Sequence, residues 1–314
     1  MIPISHKSKQ LLTLLVKILI VVGAFYFIYD ELANNGKLNW QKFLVVFKKN
    51  QSISGIFLIL LFSVLNRYFE ILKWQNLASF VKPISVAEST KQVLAALTLG
   101  VFTPVGLGEY AAKAFCFDKS KTSEIIFLNL LCNGIQMVAT VFFGILGMLF
   151  LGYYLWIFYI FVIAITLFLF FYLTKNKNIK GVSIKDFFLK INKIPKKIHK
   201  KNIALGFARY LVFTHQYYFL LLAFDVNLPY FILFTTITTV YFLASIVPSF
   251  QFLDFALKGG FAIYFFKILG VNDWIIIFIT SLMWFLNVAL PVIIGSFYVL
   301  NFKINIKENN NQTK

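Results

Sequence analysis

The chain is predicted to be an all-α polytopic membrane protein, with about six full transmembrane helices and two re-entrant broken-helix hairpins in an inverted-repeat architecture. Three observations carry this prediction. Hydrophobic residues make up 60% of the 314, with 39 Phe, and only 13% are charged; soluble domains are nearer half apolar and a quarter charged. Several apolar stretches reach the roughly 18 to 20 residues that cross a bilayer, whereas a β-barrel would show short alternating segments. Two segments interrupt the apolar pattern in the same manner, each with a proline, then a carboxylate, then a lysine one helical turn on.

Taken in order, full spans are expected at 11–29, 54–74, 124–151, 153–174, 202–224 and 273–300, with broken segments at 86–117 and 229–270. The first is read as a retained anchor, because it is long for the apolar region of a signal peptide and no small-x-small cleavage site follows. The 30–53 loop, with its "WQKFLVVF", is expected to lie on the outer surface as an interfacial helix. Residues 175–201 carry ten Lys against one Asp. By the positive-inside rule this loop is cytoplasmic, and counting spans places both termini on the cytoplasmic face of the inner membrane. Phe187, Phe188, Leu189 and Ile191 within it predict a surface-lying amphipathic piece. The polar tail, 301–314, is expected to be disordered. The whole of 1–314 is one membrane domain, with a first repeat over 1–151 and a second over 152–300.

The net charge of +18 would suggest nucleic acid in a soluble chain. Here the lysines flank spans, so contact with membrane lipids explains them and no nucleic-acid partner is expected. Cys116 and Cys132 are too few for a disulfide framework. His6, His199 and His215 have no metal-ligand spacing, so no metal and no other cofactor is expected. The sequence carries no signal for oligomeric state.

Alignment of the two broken segments reveals the repeat. "TPVGLGEYAAKAF" (103–115) and "VPSFQFLDFALKGGF" (247–261) place Pro104 against Pro248, Glu109 against Asp254 and Lys113 against Lys258. The carboxylates are 145 residues apart, close to the offset between corresponding spans. Three crossings per copy put the copies in opposite orientations, as in many secondary transporters. Pro104, Gly106 and Gly108 in the first segment, and Pro248 and Gly259 in the second, are expected to build the hairpin turns. A half-helix would restart near Gly108 or just after Phe252, aiming free N–H groups into the membrane.

Glu109 with Lys113, and Asp254 with Lys258, share one face of each half-helix at i and i+4. They either neutralise each other or bind substrate, the lysines taking a phosphate. Ionisable residues inside membrane segments favour the second role. Arg67 and Glu70 in the second span, Asn133 and Gln136 on one face of the third with Asn129, and Arg209 in the fifth are candidates to line the same cavity. Their alternatives are snorkelling and interhelical hydrogen bonding. His215 in the fifth span, and Asn287 with Pro291 in the sixth, are similar cases.

"TPVGLGEYAAKAF", followed by "EIIFLNLLCNGIQMVATVFFGILG", resembles the first motif of the flippase-like family built on the transmembrane region of lysylphosphatidylglycerol synthases; "IVPSFQFLDFALKGGFAIYFF" resembles its second. The family pattern usually has arginine where this chain has Lys113 and Lys258, and glutamate where it has Asp254. A lysine lacks the guanidinium fork, so headgroup recognition here is expected to differ. The resemblance implies lipid handling. In full-length synthases a soluble domain performs aminoacyl transfer and the membrane part translocates the modified lipid. The soluble pieces here are a loop of 27 residues and a tail, so an aminoacyl-transferase activity is not expected. A Walker-type phosphate loop is also lacking. The expected function is translocation of an anionic phospholipid or lipid-linked phosphate headgroup. The alternatives are an integral-membrane transferase acting on a polyprenyl or phospholipid phosphate, and a non-catalytic partner of another membrane protein.

Overall fold

A computed structural model describes residues 53–101, 103–174, 184–247 and 254–300. The predicted first span, the interfacial piece before residue 53, Pro248 and the 301–314 tail lie outside the described residues. All regular structure among the described residues is helical. The order is α1 (Ile53–Ala78), α2 (Val86–Gly100), α3 (Leu107–Phe115), α4 (Thr122–Phe150), α5 (Tyr154–Thr174), α6 (Ile184–Lys193), α7 (Lys196–Ala223), α8 (Tyr230–Ile246), α9 (Asp254–Ile268), α10 (Asp273–Trp284) and α11 (Leu290–Leu300).

Three of the predicted spans are long and apolar enough to cross a bilayer: α1, α4 with its preceding turn, and the continuous unit from Asp273 to Leu300. Helices α5 and α8 are apolar but shorter where described, at Tyr154–Phe170 and Tyr230–Ile246. The predicted fifth span falls in α7, whose first turns carry Lys196, Lys197, Lys200 and Lys201. Both broken segments are helix pairs, α2–α3 and α8–α9. With 15 and 9 residues, α2 and α3 extend about 22 and 13 Å, short of the roughly 30 Å hydrocarbon layer. A capping box starts α2: Ser85 Oγ accepts from Glu88 N at 3.1 Å, and Glu88 Oε2 accepts from Ser85 N at 3.0 Å.

The helices pair reciprocally. α1 packs along α7; α4 packs on α8, and α11 packs on α2. Glycines permit the last two approaches. A Cβ on Gly144 of α4 would sit 2.1 Å from Phe242 Cβ, and one on Gly147 2.6 Å from the Thr235 carbonyl oxygen. A Cβ on Gly295 of α11 would sit 2.3 Å from the Leu94 carbonyl oxygen. Beside it, Thr98 Oγ1 donates across the interface to the Val292 carbonyl at 3.2 Å. Without a hydrophobic drive between helices in lipid, such close contact is a main source of association. Gly295→Val is therefore expected to lower stability in detergent by about 3 kcal/mol, read as a fall in thermal midpoint. Gly134→Ala, with nothing within 4 Å of the added carbon, should leave it unchanged.

Three apolar cores result, the smallest joining Leu97, Val101, Trp284, Ala289 and Val292 where α2 meets the unit from α10 to α11. Of the larger two, one joins Trp74, Leu77, Ala114, Ile125 and Leu128 around α1, α3 and α4. The other joins Tyr217, Leu221, Ile237, Phe266 and Ile279 around α7 to α10. The basic loop contributes to the first of these two. Phe187 stacks edge-on against Phe127 at 5.4 Å, and Ile191 packs on the same core. Only part of α6 faces outward, with Phe188 and Leu189 exposed. The reason is that α6 and α7 are joined by a tight turn of only Ile194 and Pro195, with the buried Ile194 packed into the same core.

Candidate functional site

The joint between α2 and α3 begins with a hydroxyl. Thr103 Oγ1 donates to the Gly100 carbonyl at 2.8 Å and accepts from Gly108 N at 2.7 Å. The chain then reverses through Val105 (φ 54°) and Gly106 (φ 68°), so the turn lies one residue pair before Gly108. A β-branched residue in the left-handed region is strained, and such strain concentrates at functional sites. Gly108 serves closeness: a Cβ there would lie 2.2 Å from the Leu99 carbonyl oxygen. Pro104 sits in the reversal itself. In the second segment Gly259 lies inside α9, facing Thr280 of α10, rather than at a turn.

The two Glu/Lys-type pairs differ. Lys113 is completely buried, 2.7 Å from Glu109 Oε1 and 2.7 Å from Asn129 Oδ1. Its ammonium also lies 4.6 Å from the centre of the Trp74 ring. It therefore faces α1 and α4, while Glu109 faces a cavity. Lys258 and Asp254 also form an ion pair, but their side chains are 34% and 32% exposed and both line that cavity. Lys258 lies over the Tyr241 ring at 5.4 Å.

Helices α1 and α7 supply the floor. Glu70 is ion-paired to Arg209 and, at 3.3 Å, to Lys73. Cys132 Sγ donates to its other oxygen at 3.6 Å. Arg209 Nε donates to Asn66 Oδ1 at 2.9 Å, and its Nη1 to Gln136 Oε1 at 3.4 Å. Asn66 Nδ2 donates to Asn287 Oδ1 at 2.6 Å, whose Nδ2 donates to Gln216 Oε1 at 3.0 Å. Asn133 Nδ2 donates to the Tyr110 hydroxyl at 3.3 Å.

Asn287 sits in a single π turn, Phe285–Ala289, between α10 and α11. Pro291 lies four residues on and has no N–H to close on the Asn287 carbonyl. Arg67 Nη2 fills that gap at 2.5 Å, from 220 residues away. π turns of this kind occur preferentially at functional sites.

The resulting cavity holds about 430 Å³. The sequence-derived candidates Arg67, Glu70, Asn133, Gln136 and Arg209 all line it, together with Glu109, Asp254 and Lys258. Lys113 stands behind its wall. Lys73, Trp74, Gln216 and Tyr241 were not singled out from the sequence. Lys73 lies one turn from Glu70 and could have been found by that spacing; the others are ordinary polar or aromatic helix residues. The cations Arg67, Arg209 and Lys258 line the cavity with the acids Glu70, Glu109 and Asp254, and the buried Lys73 and Lys113 stand behind the wall, paired with Glu70 and Glu109. No group of three His, Cys, Asp or Glu converges among the described residues.

Compared with known families, residues 14–250 match the family model described as Lysylphosphatidylglycerol synthase TM region. The match takes in the whole α2–α3 pair and ends four residues before Asp254. No curated protein matches the chain.

Proposed function

This chain belongs to the lysylphosphatidylglycerol synthase transmembrane-region family, and from that premise we propose that it translocates an anionic phospholipid or lipid-linked phosphate headgroup. It is a multi-pass membrane protein of a family tied to lipid handling. The observation that carries the proposal is the cavity, which gathers charges from both broken segments, with Arg67, Arg209 and Lys258 among its lining beside Glu70, Glu109 and Asp254. A phosphate in hydrocarbon loses its hydration, at several kcal/mol or more. A cavity with fixed N–H donors and cationic side chains in its lining replaces that hydration. The acyl tails can remain in lipid while the headgroup passes.

The proposed topology is two inverted repeats, with α2–α3 and α8–α9 entering from opposite faces of the inner membrane. The reciprocal packing of α4 on α8 and α11 on α2 supports it, as do the short hairpin helices and the glycine contacts at both interfaces. In this topology α1 and α7 form the central pair and the hairpins move against it. The closed Glu109–Lys113 pair and the open Asp254–Lys258 pair are then the two ends of one exchange, with the cavity reached from the second hairpin's side. Lys258 and Asp254 meet the headgroup, while Lys113 holds Glu109 in place.

Reconstitution into liposomes with a labelled phosphatidylglycerol tests this. The double variant Asp254→Asn, Lys258→Gln keeps the net charge and should slow movement between leaflets at least about tenfold, the equivalent of one charged contact. Equal rates for wild type and variant would sink the proposal.

A further inference from the structure

Arg67 has no use in the account above beyond its bond to Asn287, yet it is the cation of the cavity least satisfied by the protein. Its Nη2 donates to the Asn287 carbonyl. Its Nε is buried and has no acceptor. Among the described residues no carboxylate lies within ion-pair distance of it. The two nearby acids are engaged elsewhere, Glu70 by Arg209 and Lys73, and Glu109 by Lys113. A buried guanidinium without a counter-ion is unfavourable by several kcal/mol. Arg67 also lines the cavity, so a ligand there can supply what the protein does not.

We infer that Arg67 is the main anion ligand of this cavity, and that it binds the phosphate group of a headgroup through its remaining Nη hydrogens. A planar fork with five N–H donors, one of them anchored on a rigid carbonyl, suits two oxygens of a tetrahedral phosphate. The anchor matters. Arg67 lies on α1 and its carbonyl on the π turn between α10 and α11, so the guanidinium is held at the junction of the two repeats. Lys113 cannot take this part, being buried behind the wall on Glu109, and Lys258, which also meets the headgroup, is paired with Asp254 and lacks the fork. The inference depends on the translocase proposal only for the source of the phosphate, a lipid headgroup rather than a soluble ester.

The test uses the full-length protein purified in detergent with phosphatidylglycerol, phosphatidylcholine or glycerol 3-phosphate added singly. Retained lipid is measured by native mass spectrometry, and ligand-induced thermal stabilisation is measured in parallel. Wild type should retain phosphatidylglycerol at least about tenfold better than Arg67→Gln. Arg67→Lys keeps the charge and a donor for the Asn287 carbonyl but loses the fork, and should fall between them. The exposed Lys119→Gln should behave as wild type. Stabilisation of wild type but not of Arg67→Gln by glycerol 3-phosphate alone would support the phosphate site and assign it to a soluble ligand. Equal retention and equal stabilisation in wild type, Arg67→Gln and Arg67→Lys would overturn the inference. That failure is distinct from failure of the translocase proposal, because binding through Arg67 can be found in a protein that does not move lipid in liposomes. If Arg67→Gln does not fold, Arg67→Lys alone decides: retention at the wild-type level for every ligand would overturn the inference.

Discussion

Glu70→Gln should unfold the purified protein at a midpoint about 10 °C below wild type, the largest loss expected from any single side-chain change in the cavity. Glu70 is the only acid among the described residues that neutralises two cations at once. Arg209 and Lys73 both bind it, and Lys73 is completely buried. Breaking one buried pair while leaving its partner charged typically destabilises by about 3 to 5 kcal/mol. Glutamine keeps the size of the side chain and can still hydrogen-bond, so the loss reports the charge. The exposed pair Lys121–Glu124, at 3.2 Å, is the natural comparison. Glu124→Gln should change stability by no more than about 1 kcal/mol. A Glu70→Gln variant as stable as Glu124→Gln would show that the Arg209–Glu70–Lys73 cluster is not closed in the working protein.

The second large effect is expected at Lys113, and it separates support from substrate contact. Lys113→Met removes the cation from between Glu109 and Asn129 and leaves the Glu109 carboxylate, largely buried, without its counter-ion. A loss of about 3 kcal/mol or more follows from that unpaired charge. Adding Glu109→Gln should recover a good part of it, because the remaining group then needs only hydrogen bonds. Lys258→Met should behave in the opposite way. Its pair is one-third exposed and faces the cavity, so stability should change little while lipid movement falls. Thermal midpoints of the three variants, set beside transport rates in liposomes, decide the matter. If Lys113→Met were stable and Lys258→Met were not, the assignment of roles to the two hairpins would have to be reversed.

Much of this protein was legible before any coordinates. Helix class follows from apolar runs of bilayer length, a one-dimensional property. The pairing of Glu109 with Lys113, and of Asp254 with Lys258, follows from i,i+4 spacing alone, since one helical turn brings such residues together whatever surrounds them. The hairpin break was visible because Pro104, Gly106 and Gly108 are backbone-altering residues. Which of them did what was not visible. The left-handed pair is Val105–Gly106, and Gly108 is needed for closeness to Leu99, a contact that depends on where α2 ends.

What only the tertiary structure decided is who faces whom. By sequence the two lysines are equivalent, yet one is enclosed by Trp74, Glu109 and Asn129 and the other opens on a cavity. By sequence Arg67 could line the cavity or snorkel; in the fold it lines the cavity and crosses to a carbonyl 220 residues away that Pro291 leaves without a donor. The physical reason is the same in both cases. Periodicity states which residues share a face of one helix, but burial and counter-charge come from the helix opposite, and that neighbour is chosen by packing between distant segments. That a greasy chain carries paired charges inside it was therefore legible in kind from sequence. Its distribution, one locked pair, one open pair and one arginine without a counter-ion, is a property of the assembled helices.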